Sequence, residues 1–509
     1  MNIVTRGFAL ALVICLVVAA GDQIGARQQA PIDRITQADL KADLFTLAGD
    51  AMRGREGGTL AEMNASMWLA ERARQIGLQP AGDNGTYFQF FPIERTRVSA
   101  GSSVMIGGKK LVMGRDVVPD NTVLADIDVP VVMAQADALA GLTLTGKALI
   151  VRYAPPPAPA ATPNQAAPNA ASGLRTWLRG IQRTVATQNP AAIVAIVPDE
   201  FQDQWDRTAY TFPRGTYGLD PDGMAEPRSP TRGAPLLYVK ASAVGTFGAD
   251  AHLVATLFTD TFQYPSVNVI AKIPGRDAVL KNEWVFYSAH QDHDGVRYPV
   301  NGDNIWNGAD DNATVAVALL AIGRAVVAAP GRRSSLFIWH GSEERGLMGS
   351  RWYVKHPTVP LSAIAAVLNG DMIGRNAPDT AALLGAEGPH RNSPDLVKMA
   401  LDANTAVTKF IVDSSWDDPN HKEGWYYRSD HLPYARMGVP ALFFSTLLHS
   451  DYHTPFDNPD RIDLAKLTKM TKWMYATGRA VSETSTRPAV DPNFKLERCR
   501  DFTGNYCGG

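Results

Sequence analysis

The sequence predicts an α/β fold in which a mainly parallel central sheet is flanked by helices, with an inserted β-rich domain. Four apolar runs have the length and composition of strands buried on both faces: 284–289, 335–339, 364–368 and 441–444. Helical patterns lie between them at 314–327 and 396–403. Strands that alternate with helices in this way are typical of a parallel sheet covered by helices.

The length and composition describe a multidomain globular protein without a charge bias. The chain has 509 residues, of which 45% are hydrophobic and 20% charged, and its formal net charge is -2. A chain of this length exceeds one simple core, so we expect two or three domains. Because it has no long basic run, we expect no nucleic-acid partner.

The first 25 residues have the outline of a secretory signal peptide. Arg6 precedes an apolar run at 8–20, and small residues follow it. This run is short for a membrane span and no second span follows, so a retained anchor is the weaker interpretation. We therefore expect an exported protein, periplasmic or secreted, with no stable membrane anchor.

Between the signal and the apolar runs, the sequence predicts one helix and then a stretch of short strands. The helix begins at Thr59, which has the capping-box spacing with Glu62, and it ends at Gly77. From 107 to 249, short β-like runs surround a Pro/Ala-rich stretch at 153–173. Proline in that density excludes a helix or a central strand, so we expect a long exposed loop there.

Two cysteines near the C-terminus, Cys499 and Cys507, remain once a signal containing Cys15 is removed. In an exported protein, two cysteines a short loop apart most simply form one disulfide, which would close the tail. The alternative is a thiolate metal site, for which the tail offers too few further ligands.

Acidic and imidazole side chains follow the apolar runs where the predicted strands end. Ligands of open α/β sheets bind beyond the carboxyl ends of the strands, so these side chains are candidates for one site. In chain order they are His290, Asp292, Asp310, Asp311, Glu343, Glu344, Asp371 and His453. Each alone has a structural explanation, such as a helix cap for Asp311 or a solvated face for the glutamates. Their joint position favours a functional site.

A group of carboxylates and imidazoles at one sheet edge would repel or stay unpaired unless a cation lay among them. Histidine with Asp and Glu and no Cys suits zinc, or sometimes cobalt or manganese. One catalytic zinc needs three protein ligands, so five candidate ligands among these eight side chains favour two metal ions that share a bridging carboxylate. Glu343, which precedes the candidate ligand Glu344, is then the candidate general base.

Six motifs resemble, in the same order, the co-catalytic zinc aminopeptidase family, which includes glutamate-carboxypeptidase-like and glutaminyl-cyclase-like members. They are "SAHQDHDG", "NGADDNAT", "SEERGLMGS", "LNGDMIG", "YYRSDH" and "SDYHTPFDNPDRI". The resemblance covers about 35–110 and 264–482. It implies the zinc exopeptidase fold, two zinc ions and peptide substrates.

The resemblance also implies a role for each matching residue. It assigns one metal to His290 and Asp371, the other to Glu344 and His453, and the bridge to Asp311. The supporting roles it implies are Asp292 as the residue that orients His290, Tyr452 as a donor to the oxyanion, and Glu343 as the general base. His293 lies in the first motif but is not a family ligand, so we expect it only to pack near the site. His431 is expected to support the loop at Asp430.

These observations predict a peptidase domain that is divided into two parts by an insertion. Residues 1–25 are the signal peptide, 33–110 and 262–486 the peptidase parts, 111–260 the insertion, and 487–509 the tail. In this family an inserted domain of the protease-associated type often occupies that place, and "GKALIVRY" and "AAIVAIV" weakly resemble its core strands. We expect it to act as a lid over the substrate cleft, with a plain surface module as the alternative.

The sequence thus predicts an exported di-zinc exopeptidase, an aminopeptidase acting on peptides with a free N-terminus. One alternative is a carboxypeptidase or dipeptidase of the same fold, in which an arginine such as Arg428 would bind the substrate carboxylate. A second is a receptor-like protein that kept the fold without catalysis. The preferred first residue and the oligomeric state are left open.

Overall fold

The computed structural model describes residues 30–155, 170–219, 234–246, 248 and 250–496. The predicted signal peptide and the predicted disulfide between Cys499 and Cys507 lie outside these residues, as does most of the Pro/Ala-rich stretch. The described residues form two large sheets and their covering helices. The predicted α/β class is confirmed.

Twenty strands and ten α-helices are formed by the described residues. The strands are β1 (Gln79–Pro80), β2 (Phe88–Val98), β3 (Ser103–Ile106), β4 (Lys109–Leu111), β5 (Val117–Pro119), β6 (Ala125–Ala134), β7 (Ala148–Arg152), β8 (Ala192–Val197), β9 (Thr216–Leu219), β10 (Leu236–Lys240), β11 (His252–Leu257), β12 (Thr259–Ile273), β13 (Trp284–His290), β14 (Gly295–Val300), β15 (Asp303–Trp306), β16 (Ser334–His340), β17 (Ile364–Gly370), β18 (Thr380–Leu384), β19 (Ile411–Val412) and β20 (Ala441–Ser445). The helices are α1 (Gln37–Leu47), α2 (Leu60–Ile76), α3 (Ala170–Thr184), α4 (Gln202–Thr211), α5 (Ala241–Val244), α6 (Thr314–Ala328), α7 (Met348–Lys355), α8 (Pro394–Ala403), α9 (His431–Arg436) and α10 (Leu464–Glu483).

The main sheet contains the four strands that the apolar runs predict. Its order is β19-β18-β20-β17-β13-β16-β12-β2-β9, with β1 paired to β12. The central strands β20, β17, β13 and β16 are parallel to one another. Strands β12, β2 and β9 extend the sheet on one side in antiparallel pairs, and β18 pairs antiparallel with β20 on the other. Because the four parallel strands run the same way, their carboxyl ends meet at one edge.

Helices cover both faces of the main sheet, which explains why its central strands are apolar on both sides. On one face α1, α2, α6, α8 and α10 form a continuous core with the sheet. On the other face α7 and α9 pack through Tyr353 and Tyr434 against Phe286. Residues 309–328, which include α6, are apolar and long enough to cross a membrane, but they lie mostly buried in the fold.

The predicted helix at 59–77 is present as α2, with Gly77 in a left-handed conformation at its end. Thr59 caps it by accepting a hydrogen bond from Ala61 N–H. Glu62 does not complete a capping box on Thr59, because its carboxylate turns inward. It accepts hydrogen bonds from Gly58 N–H (2.6 Å) and from the Ser266 hydroxyl (2.7 Å).

A second sheet is formed by the chain between β2 and β12. Its order is β4-β3-β11-β6-β7-β8-β10-β5, and it carries its own apolar cores on both faces. One strand from the same range departs from it: β9 pairs antiparallel with β2 at the edge of the main sheet. The predicted insertion therefore contributes a strand to the main sheet. Its assignment to the protease-associated type stays a prediction.

Candidate metal centre

The predicted site residues converge at the carboxyl edge of the parallel strands. His290 is the last residue of β13, Asp371 follows β17, and Glu343 and Glu344 lie in the turn after β16. Asp311 lies in the irregular turn before α6, and His453 lies in the loop after β20. Five separate segments thus bring side chains to one place, as the topology of a parallel sheet allows.

One group of donors surrounds His290. Its Nε2 lies 3.3 Å from Asp311 Oδ1, 3.5 Å from Asp371 Oδ2 and 3.9 Å from Glu343 Oε2. All of these side chains are buried. His290, Glu343 and Asp371 have donor atoms close enough to one another to hold a metal ion.

A second group surrounds His453. Its Nε2 lies 3.0 Å from Asp311 Oδ2 and 3.2 Å from Glu344 Oε2. His293 joins this group, with Nδ1 2.8 Å from Glu344 Oε1 and 3.7 Å from Asp311 Oδ2. Asp311 therefore directs one carboxylate oxygen to each group, which is the geometry of a bridging ligand.

The buried carboxylates of this cluster favour a positive charge among them. Burial lowers the pKa of His290, but the carboxylates of Glu343 and Asp371 outweigh it and raise that pKa well above its ordinary value. Glu344 acts in the same way on His453, whose pKa is also raised against the effect of burial. The carboxylates thus draw a proton onto each imidazole, and a divalent cation would supply that positive charge instead. His290 Nε2, His453 Nε2 and Glu344 Oε1 are buried and, although other donor atoms of the cluster lie close, none of the three forms a hydrogen bond of good geometry. This His and carboxylate donor set therefore fits zinc.

Glu343 differs from its neighbour Glu344. Burial raises the pKa of Glu343 well above its ordinary value, whereas His453 and His293 outweigh burial at Glu344 and hold its pKa well below. Two adjacent carboxyl groups with opposite shifts suit two roles, a proton carrier and a ligand.

Asp292 holds the turn that carries both glutamates. Its carboxylate accepts hydrogen bonds from the backbone N–H groups of Glu343 (2.9 Å) and Glu344 (3.3 Å). The predicted contact with His290 is made mainly by the Asp292 carbonyl oxygen, 3.1 Å from Nδ1, while the carboxylate Oδ1 lies at 3.7 Å. Asp292 therefore holds the His290 ring through its carbonyl oxygen and the backbone of both glutamates through its carboxylate.

Two further residues hold the ligand loops. Asp457, fully buried, accepts hydrogen bonds from Asp310 N–H and Asp311 N–H at 3.0 to 3.1 Å. Arg55 is also fully buried, and its guanidinium donates to four backbone carbonyl oxygens, those of Leu47, Gln291, Asn307 and Gly308. Both fix the backbone from which ligands project.

Tyr452 lies at the rim of the site, stacked on the ring of His453 at 3.9 Å between centroids. Its hydroxyl oxygen accepts a hydrogen bond from Arg428 Nη2 at 2.8 Å. Because this oxygen is an acceptor there, the hydroxyl hydrogen is left to donate elsewhere. Arg428 also donates to Glu423 Oε2 at 3.2 Å, so the arginine named for a carboxylate-binding alternative is already engaged.

The structure describes the surroundings of two motif histidines and adds one residue that lies outside the motifs. His293, expected only to pack near the site, places a ring nitrogen among the candidate donors. The sequence feature that could have indicated this role is its position three residues after His290. His431 is a buried core histidine whose pKa burial lowers to about 3, and its ring packs against Phe443. Arg55 carried no sequence signal, because its role depends on carbonyl groups far along the chain.

Comparison with known proteins identifies the part of the chain that carries this site. Residues 268–478 match the model of Peptidase family M28. Over 192 residues the chain is 29% identical to a probable leucine aminopeptidase of Arthroderma otae, covering 36% of this chain and 47% of that protein. Over 197 residues it is 35% identical to one of Arthroderma benhamiae, covering 37% and 47%. The chain therefore spans about half the length of the curated relatives it matches.

Solved structures share the fold over most of the chain. An aminopeptidase from Aneurinibacillus sp. strain AM-1 superposes with a TM-score of 0.53 at 16% identity, covering 91% of this chain and 97% of that one. A zinc aminopeptidase from Bacillus subtilis gives a TM-score of 0.54 at 16% identity, covering 91% and 99%. Together with the family match, these likenesses confirm the resemblance and fold class predicted from the motifs.

Proposed function

Because residues 268–478 match the model of Peptidase family M28, we propose that the chain is an exported di-zinc aminopeptidase that removes N-terminal residues from peptides. The observation that carries the proposal is the shared position of Asp311. One of its oxygens faces His290 and the other faces His453. A single carboxylate between two histidine-containing groups is what a two-metal hydrolase requires.

His290, Asp371 and Asp311 would hold one zinc ion, and Glu344, His453 and Asp311 the other. Bound there, zinc supplies a Lewis acid for the scissile carbonyl and lowers the pKa of water. His293 is a further donor available to the second group.

Glu343 moves the proton in this proposal. It lies within the first donor group without being needed as a ligand, and its buried carboxyl holds a proton readily. It would accept a proton from the attacking water and deliver it to the leaving amine nitrogen. General base catalysis of this kind contributes about 10²–10⁴-fold in rate.

Tyr452 would stabilise the negative charge that develops on the carbonyl oxygen. The hydrogen bond from Arg428 to its oxygen fixes the ring position and leaves the hydroxyl hydrogen for the substrate. Because Arg428 is engaged by Tyr452 and Glu423, the structure supports an aminopeptidase over a carboxypeptidase that would use this arginine as its clamp.

The export of the chain belongs to the same proposal. It is supported by the sequence of residues 1–25 and by the pair Cys499 and Cys507, which suits an oxidising compartment. Export predicts a mature protein that begins after about residue 20 and carries one disulfide. Intact mass of the exported protein, with and without reduction, measures both.

A substrate panel tests the proposed activity. Aminoacyl-arylamides and the matching N-blocked peptides are incubated with the purified protein, with and without a chelator. We expect hydrolysis only where the amino group is free, loss of activity with chelator, and recovery when zinc is restored. Cleavage of N-blocked peptides with a free carboxylate would favour the carboxypeptidase alternative, and inactivity on every peptide with zinc present would favour a receptor-like protein.

A further inference from the structure

The loop "HQDHDG" provides an aspartate for each of the two terminal histidines. Asp292 Oδ1 lies 3.7 Å from His290 Nδ1, and Asp294 Oδ2 lies 3.6 Å from His453 Nδ1. Both carboxylates are buried, with 2% of the Asp294 side chain exposed. A carboxylate beside Nδ1 favours the tautomer that carries hydrogen there and leaves Nε2 free to bind a metal. The Asp294 carboxylate is therefore the counterpart of the Asp292 carboxylate for the second histidine, while His290 also has the Asp292 carbonyl oxygen at 3.1 Å.

Two arginines hold the Asp294 carboxylate in place. Arg297 Nη1 donates to Oδ2 at 2.5 Å, and Arg345 Nη1 donates to Oδ1 at 3.3 Å. Arg345 lies directly after the two site glutamates, and its Nη2 reaches Glu56 Oε1 at 3.4 Å. A buried carboxylate between two guanidinium groups is stabilised in its ionised form.

Arg214 connects this cluster to the segment between α4 and β9. Its Nη2 lies 3.1 Å from Glu56 Oε2, 3.0 Å from the Asp294 carbonyl oxygen and 3.1 Å from the Val296 carbonyl oxygen. Only 11% of its side chain is exposed. Arg95, in β2 of the main sheet, donates from Nε to the Arg214 carbonyl oxygen at 2.5 Å. The backbone of Arg214 is thus held by Arg95, and its guanidinium binds the carbonyl oxygens on both sides of Gly295, in the loop that carries Asp294.

The loop itself tolerates little displacement. Gly295, between the two carbonyl groups that Arg214 contacts, has a φ of 77°, and a Cβ there would lie 2.5 Å from the Glu56 Cβ. Close packing of this kind transmits a shift in the Arg214 contacts to Asp294.

We propose that Asp294 is a positioning residue for the metal ligand His453 and that Arg214 acts on the same ligand through Asp294. The segment between α4 and β9 would then contribute to metal retention, although it supplies no ligand. This inference rests on the proposed function, since it takes His453 as a zinc ligand.

Zinc affinity, measured by competition with a chromophoric chelator, tests the inference without reference to any substrate. Asp294→Asn is expected to weaken binding of the zinc ion at Glu344 and His453 by about 10- to 100-fold, the range for partners of ligating histidines. Arg214→Ala should weaken zinc binding by about 10-fold, the lower end of that range, because Arg214 acts on His453 only through Asp294. Arg214→Lys should recover part of the loss, since a lysine keeps one contact to Glu56.

Arg207→Ala is the matched control. Arg207 lies on α4 in the same region and places its guanidinium over the ring of Tyr298 at 5.3 Å. Within the part of the chain that the structure describes, Arg207 forms no hydrogen bond or ion pair with Asp294, Glu56 or His453, so zinc affinity should equal that of the wild type. The visible spectrum of the cobalt-substituted protein reports the ligand geometry, and it should change in Asp294→Asn and Arg214→Ala but not in Arg207→Ala.

The double variant Asp294→Asn/Arg214→Ala separates positioning from a general weakening of the fold. If Arg214 acts through Asp294, the double variant loses much less affinity than the product of the two single losses. Wild-type affinity and spectrum in Arg214→Ala, or independent losses in the double variant, would overturn the inference while leaving the proposed function intact. A wild-type protein that binds no zinc would overturn both.

Discussion

Replacement of Asp457 by asparagine tests how the backbone of the bridging residue is held. The Asp457 carboxylate is fully buried and accepts hydrogen bonds from Asp310 N–H, at 3.0 Å to each oxygen, and from Asp311 N–H, at 3.1 Å to Oδ2. Asparagine has the same shape but only one acceptor oxygen and no charge. The substitution therefore changes the interaction without opening a cavity.

The cost follows from these contacts. If the amide oxygen takes the Oδ2 position, both N–H groups keep a partner, but each bond becomes neutral and about 1 kcal/mol weaker. The amide NH₂ then faces Asp310 N–H, and a buried donor without an acceptor costs about 1–3 kcal/mol. The total is about 3–5 kcal/mol, which lowers the melting temperature by at least about 6 °C at roughly 2 °C per kcal/mol for a large domain.

Thermal unfolding followed by near-UV circular dichroism, in the presence of chelator, measures this effect apart from metal binding. Asp463→Asn is the control, because Asp463 also accepts two backbone N–H groups, those of Ala465 and Lys466 at the start of α10. Asparagine caps a helix as well as aspartate does, so this control should melt close to the wild type. A melting temperature for Asp457→Asn within 2 °C of the wild type would refute the reasoning.

Three further predictions concern catalysis and pH. Glu343→Gln should retain zinc and lose about 10²–10⁴-fold in kcat; full activity would exclude Glu343 as the general base. Tyr452→Phe should lower kcat by about 10²–10³-fold with little change in KM, and an unchanged kcat would remove its role as an oxyanion donor. Burial and, after it, the charge of Asp292 raise the pKa of Glu62 from 4.5 to about 8, so the folded protein holds a proton that the unfolded chain releases. The stabilisation from this proton is complete below about pH 4.5 and is lost as the pH rises through 8. Glu62→Gln should therefore lose less stability than the wild type between pH 5.5 and 8.5 in urea unfolding, and parallel pH profiles would contradict this assignment.

The central sheet and the meeting of its polar side chains were predictable from the sequence. Four apolar runs without alternation imply strands buried on both faces, and parallel strands bring their carboxyl ends together. The residues that follow each run therefore predict the site. His290 and Asp371 belong to no periodic pattern, but both lie at the end of a strand, and this position brings them together.

Contacts between distant segments were not predictable in the same way. Arg55 binds carbonyl oxygens more than 200 residues away, and backbone acceptors leave no trace in the sequence. Strand β9 joins the main sheet although it lies within the range expected to form a separate insertion. Glu62 has the spacing of a capping box, but a buried serine hydroxyl competes for its carboxylate. In each case the contact depends on tertiary packing, and the local sequence is compatible with more than one partner.

The zinc content of the purified protein tests the central claim most directly. After saturation with zinc and gel filtration, elemental analysis of the wild type should give two zinc ions per chain, and Asp371→Asn should give about one. Both histidine groups depend on Asp311, so Asp311→Ala should retain less than one. Fewer than one zinc ion per wild-type chain, or two retained by Asp311→Ala, would contradict a centre built around that shared carboxylate.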